Sequence, residues 1–155
     1  MNSRLNISDD LSRLKGLKAW GLKRTHGSMF FLELGKPVQI GKFHHGEWHF
    51  LFEQSEWIIQ SALGERISSE DEANNIDVAF DEFDLGQLTN ASFDSSDVLQ
   101  LNFSYGHSLK ASNTPNPELD FSEWTLFTPD EMCWTKKPNQ TPTKHSIHEV
   151  QVEQL

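Results

Sequence analysis

The residue types most suited to chemistry lie together in one short segment, residues 44–49, which reads HHGEWH. Polar and apolar residues alternate from 45 to 53, and this alternation predicts a β-strand. Successive side chains of a strand point to opposite faces, so His45, Glu47 and His49 are expected on one face. The aromatic residues between them would occupy the opposite, core face.

Two imidazoles and one carboxylate on one strand face are side chains of the kind that bind zinc or iron. His45, Glu47 and His49 are therefore the candidate metal ligands of this sequence, with zinc or iron as the candidate cofactor. The same alternation also fits the solvated outer face of a strand, which needs no ion. A metal-dependent or carbohydrate-processing enzyme on a β scaffold follows only from the first interpretation.

No catalytic motif accompanies these histidines. The sequence has no nucleophile elbow of the G-x-S-x-G type, no phosphate-binding loop and no dinucleotide fingerprint. The single cysteine, Cys133, stands between Met132 and Trp134, a setting typical of a buried small side chain, and it cannot form an internal disulfide. We therefore expect no catalytic residues, and a binding function rather than an enzymatic one.

The negative charge of the chain is concentrated in its central part. The net charge is −10, but residues 43–135 hold two Lys/Arg and eighteen Asp/Glu, whereas residues 1–42 hold eight Lys/Arg and three Asp/Glu. Such a surface repels nucleic acid and attracts a basic protein. An acidic surface that only keeps a protein soluble would have the same composition.

One amphipathic helix is predicted over residues 69–83. Ser69 with Glu72 three positions later is a capping-box pattern, and apolar residues then recur at helical spacing. The apolar stripe consists of Ala73, Ile76, Phe80 and Phe83. The acids around this helix are the candidate partner-binding residues: Glu70, Asp71, Glu72, Asp77, Asp81, Glu82 and Asp84.

The rest of the pattern is mainly β and repeats itself. Residues 30–34 match residues 99–103 at an offset of 69, and residues 17–22 match residues 88–93 at an offset of 71. The later matches are Glu47-Trp48 with Glu123-Trp124, and Trp57 with Trp134. Strands and hairpins share a limited vocabulary, but four matched features in the same order favour an internal duplication.

These matches predict a mainly β (α+β) fold with two pseudo-repeats, at about 14–66 and 85–137. Each repeat would be an antiparallel β-meander with one apolar face that it cannot hide alone. The two meanders are expected to pack as a sandwich or as two half-barrels, bridged by the helix at 69–83. This single domain, residues 1–137, would be followed by a polar tail at 138–155 that is poorly ordered or docks only weakly.

The composition also predicts where the protein acts. No apolar run is long enough to cross a bilayer, and residues 1–10 lack the apolar core of a signal peptide. Together with the lone cysteine, these features favour the cytoplasm. We expect neither a membrane nor a nucleic acid as partner.

Two segments frame the order of these features: Ser-Ser-Glu-Asp-Glu at the start of the helix, and Trp-Thr-Leu-Phe-Thr-Pro-Asp-Glu at 124–131. Over residues 14–135 this order resembles small bacterial β-rich domains associated with the immunity proteins of polymorphic toxin systems. The resemblance implies a non-catalytic immunity-type protein that neutralises a basic cognate toxin, and it supplies no catalytic residues. A structural or self-associating domain that forms a homodimer is the remaining alternative.

Overall fold

A computed structural model describes residues 6–117 and 121–148. These residues form eleven strands and two short helices, which confirms the mainly β expectation. The helices are α1 Ile7–Ser12 and α2 Ala73–Glu82. The strands are β1 Ala19–Arg24, β2 Phe30–Ile40, β3 Phe43–Phe52, β4 Glu56–Gln60, β5 Arg66–Ser68, β6 Leu88–Phe93, β7 Leu99–Phe103, β8 Ser108–Ser112, β9 Trp124–Phe127, β10 Met132–Lys136 and β11 Thr143–Ser146.

The strands form two antiparallel sheets that pack as a sandwich. The first sheet has the order β1-β2-β3-β9-β10-β11, and the second has the order β5-β4-β8-β7-β6. Aromatic side chains meet between the sheets: the rings of Phe30 and Trp57 lie 4.7 Å apart, and those of Phe93 and Trp124 lie 5.9 Å apart. Of the two predicted packings, the structure therefore adopts the sandwich.

The strands follow the alternation that the sequence predicts. In β7 the residues Leu99, Leu101 and Phe103 are buried, and Gln100 and Asn102 between them are partly exposed. A strand with one buried face hides every second side chain, so this pattern fixes which face of the sheet meets the core.

The two halves of the chain interleave, which corrects the expected arrangement of one meander per half. Strands β1–β3 join the first sheet and β4–β5 the second, whereas β6–β8 join the second sheet and β9–β10 the first. The chain changes sheet at residues 53–55, where the backbone amides of Glu53 and Ser55 both donate to the carbonyl of Glu123. Each sheet is therefore completed by strands from both halves.

The strand order also relates the two halves by an approximate twofold. The amide of Ala19 donates to Gly86 O and the amide of Leu88 donates to Leu17 O, both at 2.8 Å, and each pair of equivalent atoms is 69 residues apart. The first strands of the two halves, β1 and β6, are therefore also related by an offset of 69. The offset of 71 predicted for residues 17–22 and 88–93 is wrong. An origin by duplication stays a prediction.

The equivalent tryptophans also differ from the predicted pairs. Because β4 corresponds to β9 in the two sheet orders, Glu56-Trp57 lies at the position equivalent to Glu123-Trp124. Glu47-Trp48 lies instead on β3, whose counterpart is β8. Glu-Trp occurs at 47–48, at 56–57 and at 123–124. Sequence matching alone could not decide which of the first two is the counterpart of the third.

Both helices belong to this twofold arrangement. In α1 the residues Ile7 and Leu11 are buried, and in α2 the residues Ile76 and Phe80 are buried, again 69 positions apart. Each helix precedes the first hairpin of its half. The predicted amphipathic helix is present as α2, and α1 takes the equivalent position in the first half of the chain.

The helix α2 is shorter than the predicted range of 69–83. Its N-cap is Glu72, whose side chain makes no capping hydrogen bond. The Ser69 hydroxyl instead accepts a hydrogen bond from the amide of Trp57 at 3.1 Å, and the Asp71 carboxylate accepts one from Ser68. The capping-box interpretation is therefore wrong, because the Ser69 hydroxyl accepts its hydrogen bond from β4 and not from the helix.

Part of the C-terminal tail is ordered, contrary to expectation. Strand β11 pairs with β10 along its whole length, from Met132–Ser146 to Thr135–Thr143. Lys144 Nζ lies 3.0 Å from Asp10 Oδ2, and this contact joins β11 to α1. Residues 149–155 of the predicted tail lie outside the described residues.

A buried ion pair lies where the chain enters β9. Lys136 Nζ lies 2.9 Å from Glu123 Oε1, and both side chains are almost fully buried. Glu123 Oε2 accepts a hydrogen bond from the amide of Thr114, and Lys136 Nζ also donates to Lys137 O. Each charge therefore has a partner and a second hydrogen bond, as a buried pair requires.

Neither described helix has the length and apolar character needed to cross a membrane.

Candidate functional site

The outer face of the first sheet carries the predicted histidines. In β3 the residues His45, Glu47 and His49 are partly exposed, while Trp48 and Phe50 on the other face are buried. The predicted sharing of faces along this strand is confirmed. The two histidine rings lie 4.4 Å apart, which brings their nitrogens within reach of one shared group.

The carboxylate between the two rings is that of Glu33. The pairing of β2 with β3 sets Glu33 opposite His49. Glu33 Oε1 lies 3.4 Å from His49 Nδ1, and Glu33 Oε2 lies 3.4 Å from His45 Nδ1. One potential ligand atom from each of these three residues lies within 4.8 Å of the others. We call Glu33, His45 and His49 the His–Glu cluster.

Glu47 shares the strand face of these histidines but lies outside the cluster. Its carboxylate accepts a hydrogen bond from the amide of Lys36 at 2.9 Å. That amide is available because β2 has an irregularity between Leu34 and Pro37, where the ladder to β3 is interrupted. The carboxylate that sequence spacing assigned to the site therefore completes a β-bulge, and Glu33 occupies the position beside the imidazoles.

The position of Glu33 was missed because it depends on strand pairing. One signal was present: Glu33 is the only charged residue in the apolar run Phe30-Phe31-Leu32-Glu33-Leu34. Carboxylates are rarely buried unless they are paired or hydrogen-bonded. A single acid inside such a run therefore indicates a specific partner, although the run does not reveal which one.

Two glycines make room for the Glu33 side chain. A Cβ at Gly21, whose φ is +66°, would come within 2.6 Å of Glu33 Cγ. On the other side the amide of Gly46 donates to Glu33 Oε1 at 2.7 Å, and a Cβ there would overlap the backbone of Leu34. A glycine within a strand often marks such a close approach. The carboxylate is thus enclosed by backbone on both neighbouring strands.

Aromatic rings hold the imidazole of His49 in place. The Phe31 ring is parallel to it within 7° at a centroid distance of 5.7 Å, and the Phe127 ring lies 4.5 Å away. Phe43 lies 6.4 Å from the ring of His45 and is 65% exposed. The cluster therefore has apolar walls and one side that faces solvent.

A groove of about 640 Å³ opens beside the cluster. Its walls include the glutamate and one histidine of the cluster together with Trp20, Phe31, Phe43 and Lys42. The Trp20 indole donates to Gly35 O at 2.8 Å, which fixes the ring at the edge of the groove.

The charge of Glu33 is stabilised in its buried site. Burial alone would raise the pKa of Glu33, but the His49 contact, the Gly46 amide and the charges of both histidines outweigh it and lower the pKa below its ordinary value. Glu33 is therefore an ionised carboxylate at neutral pH.

The predicted partner-binding acids lie around α2. Glu70, Asp71 and Glu72 precede the helix, and Asp84 follows it. Six of the seven acids are exposed, and Asp77 is the exception. Arg24 of β1 bonds Asp77 with two nitrogens, at 2.7 and 3.0 Å.

The Arg24 guanidinium lowers the pKa of the Asp77 carboxyl, and Asp77 in turn raises the pKa of Arg24. This ion pair fastens the helix to the first sheet. The charge of Asp77 is therefore already compensated within the fold.

Four of the acids have no partner for their side chains among the described residues. They are Glu70, Glu72, Asp81 and Glu82. Asp71 and Asp84 each accept a backbone hydrogen bond in the adjacent turn. Val78, on the same helix as Asp81 and Glu82, is 57% exposed. We call these four acids and Val78 the α2 surface.

Two further titratable side chains lie away from the cluster. Cys133 lies in the core as expected, and burial raises the pKa of its thiol. The ring of His107 is partly buried and packs 4.7 Å from that of Phe83. Burial lowers the pKa of His107, while the charges of Asp84 and Glu65 oppose this shift.

Comparison of the chain with protein-family models, curated proteins and solved structures finds no match. The resemblance to immunity-type domains stays a prediction from the order of sequence features.

Proposed function

We propose that this protein is a non-catalytic binding protein that engages a basic protein partner through the α2 surface. The observation that carries the proposal is the set of four exposed carboxylates on α2 and just before it that have no partner for their side chains within the described fold. Residues 65–84 hold eight Asp/Glu and one Arg, a balance of −7 within a chain of net charge −10. The charge is therefore concentrated in the segment that contains β5 and α2.

The arrangement suits protein binding for two physical reasons. An exposed apolar residue on an element that also carries exposed charges is the combination found at the centre and rim of a protein interface. Charges at the rim accelerate and orient association with a partner of opposite sign, and this effect weakens as salt is added. Val78 would supply the apolar contact, and the four carboxylates would select a basic partner.

The partner class we propose is a toxin that acts on nucleic acid, in keeping with an immunity-type protein. The substrate-binding surface of such an enzyme is positive because it must hold phosphates. An acidic protein surface can cover it and exclude the substrate. The sequence resemblance to immunity proteins supports this choice of partner.

Charge-reversed variants test this proposal. Glu72→Lys and Glu82→Lys are each compared with wild-type protein in affinity capture from the source cells at low ionic strength. We expect wild-type protein to retain a basic protein whose affinity for each variant is at least about tenfold lower, which corresponds to about 1.4 kcal/mol. Calorimetry with the purified partner at two salt concentrations measures both the loss of affinity in the variants and the weakening of binding by salt.

Glu131→Lys is the matched control, because Glu131 is also exposed and the change in net charge is the same. Its affinity should stay close to that of wild type. Equal binding by all the variants, or a retained partner that is acidic, would show that the α2 surface is not the binding site. If the partner is a nuclease, wild-type protein should also inhibit its cleavage of RNA or DNA, and the α2 variants should inhibit it less.

A further inference from the structure

The geometry points to a binding site for one divalent transition-metal ion, with zinc as the preferred occupant, formed by Glu33, His45 and His49. Asp81 of the α2 surface also lines the groove beside this cluster, but it is not one of the three ligands, and neither proposal depends on the other. The argument rests on the spacing of the donor atoms, an unsatisfied buried nitrogen, the rigidity of the surroundings and the choice of ligand types.

The spacing of the donor atoms matches a tetrahedral ion. Ligands at about 2.0–2.1 Å from a tetrahedral zinc ion lie about 3.3 Å from one another. The carboxylate oxygens of Glu33 lie 3.4 Å from Nδ1 of His45 and 3.4 Å from Nδ1 of His49. These separations are longer than a good hydrogen bond and close to the edge of a coordination tetrahedron. The two separations involve different oxygens of Glu33, and one donor atom from each of the three residues lies within 4.8 Å of the others, so the donor atoms must move closer together for one ion to contact all three.

A buried nitrogen in the cluster lacks a hydrogen bond. His49 Nδ1 is buried and makes no hydrogen bond to any described residue, although Glu33 Oε1 lies 3.4 Å away. Buried polar atoms in folded proteins nearly always have a partner, and an exception calls for an explanation such as a bound ion. A metal ion between His49 and Glu33 would satisfy this nitrogen.

The surroundings hold the three ligands rigidly. Gly46 donates its amide to Glu33, and Phe31 and Phe127 lie on either side of the His49 ring. Only His45, on the solvent side, has freedom to adjust, since 22% of its side chain is exposed. Rigid ligands raise metal affinity because little order is lost when the ion binds.

The ligand types favour zinc over the common hard cations. Imidazole nitrogens suit zinc, copper, nickel and iron, whereas magnesium and calcium prefer oxygen ligands. Three protein ligands would leave one tetrahedral position unfilled, and the groove beside Trp20 and Phe43, which Glu33 and His45 also line, would give that position access to solvent. An open position of this kind accepts a water molecule or a small ligand.

Metal titration of the full chain tests the site. Protein without a histidine tag is freed of metal with a chelator and titrated with Zn²⁺ by calorimetry. Co²⁺ absorption reports the geometry in a parallel titration. We expect one ion per chain in wild-type protein, and affinities at least about tenfold weaker in His45→Gln and Glu33→Gln, since even changes beside metal ligands weaken binding 10- to 100-fold.

His44→Gln is the matched control, because His44 is an exposed neighbour on the same strand and outside the cluster. It should bind Zn²⁺ like wild type. Absence of stoichiometric Zn²⁺ binding by folded wild-type protein would overturn the site, as would equal affinities in the His45→Gln and His44→Gln variants.

Thermal unfolding provides a second readout that tolerates a destabilised variant. Zn²⁺ should raise the Tm of wild-type protein and of His44→Gln, because an ion that binds only the folded state stabilises it. The Tm of His45→Gln should not change on addition of Zn²⁺. A Zn²⁺-induced rise in Tm of the same size in His45→Gln would contradict the proposal even if the variant starts from a lower stability.

Discussion

At the scale of single residues, two buried carboxylates, those of Glu33 and Glu123, are each held by specific partners. The Glu33 carboxylate accepts a hydrogen bond from the amide of Gly46. The Glu123 carboxylate accepts hydrogen bonds from the ammonium group of Lys136 and from the amide of Thr114. A buried charge is tolerated only when its partners replace the water that it has lost. Removing one partner should therefore cost more than removing the pair.

Lys136→Met tests this for the buried ion pair. The variant leaves the Glu123 carboxylate buried and without its counter-charge, so we expect a loss of about 3–5 kcal/mol in the free energy of unfolding. Urea denaturation, monitored by tryptophan fluorescence, measures this loss of unfolding free energy.

The double variant Glu123→Gln/Lys136→Met is the comparison, because the amide oxygen of the introduced glutamine can still accept from Thr114. It should be more stable than Lys136→Met alone. If the single variant is as stable as wild type, the pair is not buried in the way described.

At the scale of secondary-structure elements, α2 has two separate tasks on its two sides. Its inner side places Ile76 and Phe80 in the core, where the Phe80 ring lies 5.1 Å from that of Phe30 and 5.8 Å from that of Trp57. Its outer side presents Val78. Stability should depend on the first side, and partner binding on the second.

Substitutions on the two sides of α2 separate these tasks. Phe80→Ala should lower the free energy of unfolding by about 3–5 kcal/mol, because it leaves a cavity between the helix and the sheets. Val78→Ala should change it by less than about 0.5 kcal/mol, since the side chain is mostly exposed. Thermal and urea unfolding of both variants check this, and a large loss in Val78→Ala would show that the helix packs differently.

At the scale of the whole molecule, each sheet needs strands from both halves of the chain. In the first sheet β3 pairs with β9, and in the second sheet β4 pairs with β8. These two contacts join the halves at the centre of each sheet rather than at an edge. Neither half can then complete a sheet alone.

Expression of the halves as fragments tests this interdependence. Fragments 1–70 and 71–155 divide the chain in the exposed loop before α2. We expect each fragment alone to lack a cooperative thermal transition, because its central strands have unpaired edges, and we expect the mixture to regain β-structure in circular dichroism.

Intact protein cleaved in the same loop after folding is the control, and it should stay folded. A cooperative transition in either isolated fragment would instead favour the arrangement of two independent meanders.

Much of the fold could be predicted because it depends on local patterns. The alternation in β3 and β7 gave both the strands and their buried faces, and the helical spacing of Ile76 and Phe80 gave α2. The exchange of strands between halves could not be predicted. It depends on the direction of the chain after residues 53–55, and the apolar alternation on either side is the same whichever sheet the next strand joins.

The candidate site was predicted in part, for the same physical reason. Strand periodicity alone places His45 and His49 on one face, and composition alone makes residues 65–84 strongly acidic. Only the tertiary structure decided that Glu33 rather than Glu47 lies between the imidazoles, because register across two strands and a bulge at Leu34–Pro37 determine which carboxylate faces them. It also decided that Asp77 is neutralised by Arg24, a residue 53 positions away. Side-chain periodicity is local to one strand or helix, whereas a site is assembled by contacts between elements.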